Sequence, residues 1–229
     1  MTFSRRSYQK ELLDGDSIPF ADIRQNMKEL DFINTYLGGH AITIAAFKDL
    51  CKGKNKICVC EIGCGGGDNL VAVKNWCYKN KIELTITGID IKEECIDYAR
   101  TRKTASGAKW ITNDYKKVSF IEKPDIIFSS LFCHHFTEEE LVFQVKWMKQ
   151  NSKVGFFIND LHRNFMAYYS IKFLTALFSN SYLVKNDAPL SVARGFSKSE
   201  LENLCKEAGA SQAKISWKWA FRFVVTYKH

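Results

Sequence analysis

Residues Val59 to Leu70 read VCEIGCGGGDNL, and this stretch limits the fold more than any other part of the chain. A short apolar run carries an acid, Glu61, and is followed by glycines at 63, 65, 66 and 67 before a helical pattern begins. So many glycines in one short span suit a backbone that turns through left-handed conformations or comes into contact with a ligand. Strand, tight loop and helix in that order form the first unit of an α/β sheet, with the loop facing a ligand.

The spacing discriminates between ligands. A dinucleotide fingerprint GxGxxG starting at Gly63 would put its third glycine at 68, where Asp68 stands. A phosphate-binding loop would close with Lys-Ser or Lys-Thr, and neither follows. The pattern is instead Glu61-x-Gly63-x-Gly65-x-Gly67.

The surrounding chain supplies the rest of such a sheet. Phe20 to Leu37 reads as a helix, the Gly38-Gly39 pair breaks it, and a second helix runs to about Lys52. From Lys56 onward strands are expected at 57–62, 84–89, 109–112, 125–129 and 154–159, with helices between them. Thr137-x-x-Glu140 and Ser197-x-x-Glu200 are capping boxes that open two of the later helices. Two alternating runs near 213–219 and 221–227, joined by a very short connection, predict an antiparallel pair. Prolines 19, 124 and 189 each fall at an expected element boundary. Between the fifth strand and Ser197 lies NFMAYYSIKFLTALFSNSYLV, apolar nearly all round and too short and interrupted to cross a bilayer.

The Glu61 to Gly67 pattern resembles the first motif of the class I S-adenosylmethionine-dependent methyltransferases. Later stations resemble that family too. TGIDI places Asp90 at the end of strand two, where the family uses an acid for the ribose hydroxyls, with Ile91 flanking the adenine. TNDY places Asn113, Asp114 and Tyr115 after strand three, near the adenine amino group. PDIIFSSLFCHHF supplies strand four, Ser130 and the loop facing the methyl group. The resemblance covers roughly residues 56 to 160. It implies a Rossmann-like α/β sheet, mostly parallel with an antiparallel edge strand, preceded by N-terminal helices and carrying a helical insertion after strand five. Residues 1–55 are then a helical cap, and 56–229 a methyltransferase domain with a lid at about 163–195. The implied cofactor is S-adenosylmethionine, with S-adenosylhomocysteine as product, held by Glu61, Gly63, Cys64, Gly65, Gly67, Asp90, Ile91, Asn113, Asp114, Tyr115 and Ser130.

Two loops would face the reaction, SLFCHHF and NDLHRN. They offer His134, His135 and His162 as candidate bases for an acceptor proton. The two adjacent histidines cannot both point into one site. Arg163 could hold an acidic substrate group or pair with Asp160. The aromatics of 165–178 would form an apolar wall on one side, with Phe32, Tyr36 and His40 closing the other. The chain also resembles, in ELDFINTYLGGH, NDLHRN and DAPLSVARGFSKSEL, bacterial methyltransferases found with type III polyketide synthases. That implies a phenolic, resorcinolic or pyrone acceptor, methylated at oxygen. Carbon methylation of a quinone precursor, an RNA substrate, or a cofactor-binding protein without catalysis are the alternatives.

Composition narrows these. At 229 residues, 46% hydrophobic and 25% charged, the chain is expected to form one globular domain. The net charge of +8 permits attraction to nucleic acid or an anionic membrane, but the lysines are scattered rather than blocked. No Pro-Pro-aromatic motif follows strand four, so methylation of an exocyclic base nitrogen is not expected, and no added RNA-binding module is visible. The N-terminus lacks an apolar signal core, and a cytoplasmic location is expected. Eight cysteines without a CxxC pair read as reduced, packed thiols, with no metal site.

Overall fold

The computed structural model of the chain describes residues 3–15, 18–102, 104 and 106–229. Seven strands form one sheet: β1 (Lys56–Ile62), β2 (Glu83–Asp90), β3 (Lys109–Thr112), β4 (Ile126–Ser130), β5 (Gly155–Leu161), β6 (Lys214–Lys218) and β7 (Arg222–Lys228). Their order is β3-β2-β1-β4-β5-β7-β6. The first five run parallel, whereas β7 lies antiparallel to both β5 and the edge strand β6.

Alternation within the strands builds a core on each face. Ile57 and Val59 of β1, Phe128 of β4 and Phe157 of β5 pack on one side. They meet α2 (Gly39–Leu50), α3 (Asp68–Lys79) and α4 (Glu93–Thr101) through Phe47, Leu70, Val73 and Ile96. Their strand neighbours Cys60, Ile62, Ile127, Phe156 and Ile158 face the other side. There α5 (Glu138–Asn151) and α8 (Lys198–Glu207) cover them with Leu141, Val145, Met148 and Leu201. Sheets buried on both faces are the parallel, doubly wound kind, and the period-2 split of one strand between two cores is its mark.

Helix α1 (Phe20–Tyr36) precedes the sheet, while α6 (Phe165–Phe178) and α7 (Tyr182–Arg194) fill the connection after β5. Both capping boxes form. Thr137 accepts from the Glu140 N–H and Ser197 from the Glu200 N–H, each with the return bond from the glutamate. The apolar run 164–184 forms α6 and the start of α7, parted at residues 179–181. One expectation needs correction: Pro189 lies inside α7 rather than at a boundary. Proline has no N–H to donate, so α7 forgoes one internal bond; its packed residues, Leu183, Val184 and Leu190 among them, offset that loss. All eight cysteines are free, and all but Cys58 are fully buried.

The order of strands reverses between β1 and β4, so the loops leaving their carboxyl ends diverge and open a crevice there. The glycine loop leaves β1 at that point. Replacing Thr137 by Ala removes the α5 cap and should lower stability by about 1 kcal/mol. A lower denaturant midpoint at unchanged slope would register it.

Candidate active site

A cleft of about 580 Å³ opens at the crevice. Its floor is the glycine loop: Gly63, Gly65 and Gly67 have φ of 64°, 49° and 72°, all in the left-handed region. Side chains would also collide here, since a Cβ at 63 would meet the Phe132 ring and one at 67 the Trp110 ring. The glycines therefore answer to both backbone conformation and close packing.

Asp90 ties this loop to the next. One carboxylate oxygen accepts the Gly65 N–H at 2.8 Å and the other the Lys92 N–H at 2.9 Å. Burial raises its pKa, and the backbone donors at Lys92 and Gly65 oppose that rise. Glu61 sits deeper, at the end of β1. One of its oxygens accepts from the Asn69 side chain at 3.2 Å, and the other has no partner. Burial pushes this carboxyl well above the usual range, the nearby Asp68 and Asp90 charges add to the rise, and Asn69 partly offsets it. Cys64, Ser130 and Ile91 also line the cleft, Ile91 with its side chain largely exposed.

The other residues assigned after strand three lie elsewhere. Asn113 is exposed, and its N–H serves the main-chain carbonyl of Asp90. Asp114 caps the 3-10 turn Tyr115–Lys117 by accepting the Lys116 N–H. Tyr115 is packed in the core against Phe132 and Trp147. None of the three is among the residues lining the cleft.

The histidines separate in the same way. His134 is buried, with Nδ1 2.7 Å from Asp160 Oδ1 and Nε2 3.5 Å from Glu11 Oε1. Burial alone would lower its pKa, but the charges and hydrogen bonds of Asp160 and Glu11 overcome that and raise it to about 9. It is thus engaged by two carboxylates in a buried network and is turned away from the cleft. His135 turns the opposite way and lines the cleft, with Nδ1 3.1 Å from Asp14 Oδ1. His162 lies outside the cleft, where it accepts from the Trp217 indole at 3.3 Å and packs on Phe223. Arg163 pairs with Glu200 rather than Asp160, through two contacts of 2.8 and 2.9 Å.

The roof differs from the expected apolar wall. Met27, Leu30 and Asn34 of α1, with Tyr8, Leu13 and Asp14 of the N-terminal segment, close the cleft. Phe32 and Tyr36 point to solvent, and α6 contributes nothing to the lining. His40 lies at the cleft's margin, bound to Asp31 at 3.0 Å and Asn69 at 3.1 Å. The N-terminal segment is held by long-range polar bonds. Arg6 donates to the carbonyls of Arg194, His134 and Phe136, and Asp187 accepts the Leu12 and Leu13 N–H groups. Arg194 completes the strap with bonds to Asp14 and to the carbonyls of Gln9 and His135. Sequence reasoning missed this strap because nearly all its partners are separated by well over a hundred residues and carry no periodic signal. Two groups, Glu11–His134–His135 and Asp31–His40–Asp68, have ligand-type atoms close enough to share an ion. Both are accounted for by internal ion pairs, with Arg194 and Arg102 supplying further positive charge.

Comparison with known proteins agrees with this geometry. Residues 59–155 match the family model of the methyltransferase domain. No curated protein matches the sequence. The plantazolicin methyltransferase BpumL, crystallised with a pentazolic desmethylPZN analog and SAH, is 18% identical with a TM-score of 0.68, covering 91% of this chain and 90% of that one. The magnesium protoporphyrin IX methyltransferase ChlM of Synechocystis PCC 6803, with bound SAM, is 12% identical with a TM-score of 0.55, covering 95% and 88%. A SAM-dependent methyltransferase from Aquifex aeolicus is 17% identical with a TM-score of 0.62, covering 93% and 99%.

The His134 network yields a pH prediction. Its folded pKa lies above the ordinary value of 6.5, so the stabilisation is fully present below pH 6.5 and is lost as pH rises through about 9. The melting temperature should fall across that window, and His134→Asn should flatten the dependence; a wild-type profile level from pH 6.5 to 9.5 would contradict the assignment. Residues 59–155 thus resemble the methyltransferase domain, and with the sheet order and the solved structures the chain has the Rossmann-like fold of the class I methyltransferases.

Proposed function

We propose that the protein transfers a methyl group from S-adenosylmethionine to a small hydrophobic acceptor, a phenolic or polyketide-derived oxygen being the favoured target. The observation that carries this reading is the unpartnered buried oxygen of Glu61 on the wall of a glycine-floored cleft. Such an orphan costs about 1–3 kcal/mol unless a ligand satisfies it. A ligand ammonium would do so, and would also let the carboxyl ionise. The Gly63–Gly67 main chain would lie along the methionine and ribose. Each Asp90 oxygen holds one backbone N–H and retains a lone pair for a ribose hydroxyl. Ile91 offers an apolar flank to the adenine.

When bound, S-adenosylmethionine supplies an electrophilic methyl on a sulfonium centre. The protein's part is alignment and disposal of the acceptor proton. Residues 3–15 and α1 act as the cap that excludes water. Tyr8, Leu13 and Phe136 give the acceptor apolar and aromatic surface. His135 serves as the base: its Nδ1 is held by Asp14 at 3.1 Å, while Glu11 Oε2 is 3.8 Å from its Nε2 and beyond hydrogen-bonding reach. The named substrates of BpumL and ChlM, a natural product and a porphyrin, support an organic small-molecule acceptor. The resemblance of ELDFINTYLGGH, NDLHRN and DAPLSVARGFSKSEL to methyltransferases found with type III polyketide synthases favours phenols, resorcinols and pyrones within that class.

Incubation with S-adenosylmethionine bearing a deuterated methyl, over a panel of alkylresorcinols and pyrones, tests the reading by product mass and NMR. Label in an ether is the expected outcome. Label on a ring carbon would move the reading to carbon methylation, and no transfer to any member would overturn it. His135→Gln should lower kcat by about 10²-fold with cofactor affinity unchanged.

A further inference from the structure

Helix α6 is apolar on the wrong side. A surface helix of a globular protein turns its apolar stripe inward and its polar face to water. Of the residues in α6 only Ala167 and Thr175 are buried, whereas Phe173 and Phe178 are 64% and 76% exposed, with Met166, Tyr169 and Leu177 beside them. The helix is nonetheless firmly held. Asn164 caps its first turn, accepting the Met166 N–H at 2.8 Å, and at its far end the Ser179 hydroxyl and the Asn180 N–H both donate to Glu29 of α1.

The exposed surface continues onto the β6–β7 hairpin. His162, three residues before α6, receives the Trp217 indole N–H and donates its own main-chain N–H to Phe221. The tip of that hairpin reads Trp217-Lys218-Trp219, with all three exposed and Trp219 at 70%. The charged side chains of α6 and the hairpin are basic, and the carboxylate beside them, Glu29, is taken up by Ser179 and Asn180. Neither 165–178 nor 214–223 contains an Asp or Glu, while Lys172 and Lys218 are both exposed.

We propose that α6 and the Trp217–Trp219 tip form a docking surface for an anionic lipid bilayer. Tryptophan and tyrosine favour the boundary between headgroups and acyl chains, and lysine stems lie along apolar surface with the ammonium in the headgroup layer. A face of aromatics and lysines, on a chain of net charge +8, complements a negatively charged membrane. A second copy of the chain fits less well, because an isologous contact would bring lysine-bearing faces together with only Glu29, already engaged by Ser179 and Asn180, to offset them. The helix is 14 residues, about 21 Å, and so lies along the interface. Among the described residues no helix is long and apolar enough to cross a membrane.

Vesicle flotation tests this, using phosphatidylcholine alone and phosphatidylcholine mixed with phosphatidylglycerol, without any cofactor, so that failure leaves the methyl-transfer reading untouched. The protein should float with the anionic vesicles, and added salt should release part of it. Phe173→Ser with Phe178→Ser, and separately Lys172→Glu with Lys218→Glu, should each reduce the bound fraction by about tenfold or more at unchanged melting temperature. No flotation, equal flotation with the neutral vesicles, or undiminished binding of both variants would overturn the proposal. A dimer in solution that Phe173→Ser with Phe178→Ser dissociates, in the absence of vesicle binding, would assign the face to a second copy instead.

Discussion

The Asp90 carboxylate is the joint on which the site turns. By accepting the Gly65 N–H with one oxygen and the Lys92 N–H with the other, it locks the loop after β1 to the loop after β2. Two main-chain bonds tighten the same corner, from Cys64 to the Ile89 carbonyl and from Asn113 to the Asp90 carbonyl. A carboxylate so buried is kept in place by donors to its charged form. With the loop fixed, three left-handed glycines become an ordered floor rather than a flexible link, and the crevice at the reversal of strand order keeps its width.

Above that floor the structure places charge where a simple α/β domain would place apolar side chains. Arg6, Glu11, Asp160, Arg194 and His134 form a buried ionic layer, edged at the cleft by Asp14 and His135, that joins the N-terminal segment to the loop after β4 and to α7. Ion pairs of this kind give little net stability, since desolvation consumes most of the Coulomb gain. What they do supply is one defined position for a segment that has no regular structure beyond a single 3-10 turn. That position brings Tyr8, Leu13 and Asp14 over the cleft and turns His135 toward it while His134 is turned away.

Local signals were legible and long-range ones were not. The strands followed from apolar alternation, both capping boxes from residues three apart, and the antiparallel hairpin from its very short connection. The glycine loop and Asp90 were readable because their function depends on fixed spacing along one βα unit. Asp114 and Tyr115 matched the pattern in sequence, yet Asp114 caps a 3-10 turn and Tyr115 packs in the core, and nothing in TNDY signals that turn. His162 looked available on its loop, but the Trp217 indole from a hairpin more than fifty residues later engages it. The aromatics of 165–178 were legible as an apolar surface; which way α6 would face depends on Glu29 of α1, and that pairing has no local signature.

Calorimetric titration with S-adenosylhomocysteine, set against NAD, measures the central claim that Glu61 and Asp90 shape the cleft for an adenosyl amino acid. S-adenosylhomocysteine should bind one to one and NAD should give no heat. Glu61→Gln and Asp90→Asn should each weaken binding by about tenfold or more, the worth of one charge-assisted hydrogen bond. Equal binding of NAD, or full affinity in both variants, would contradict the account.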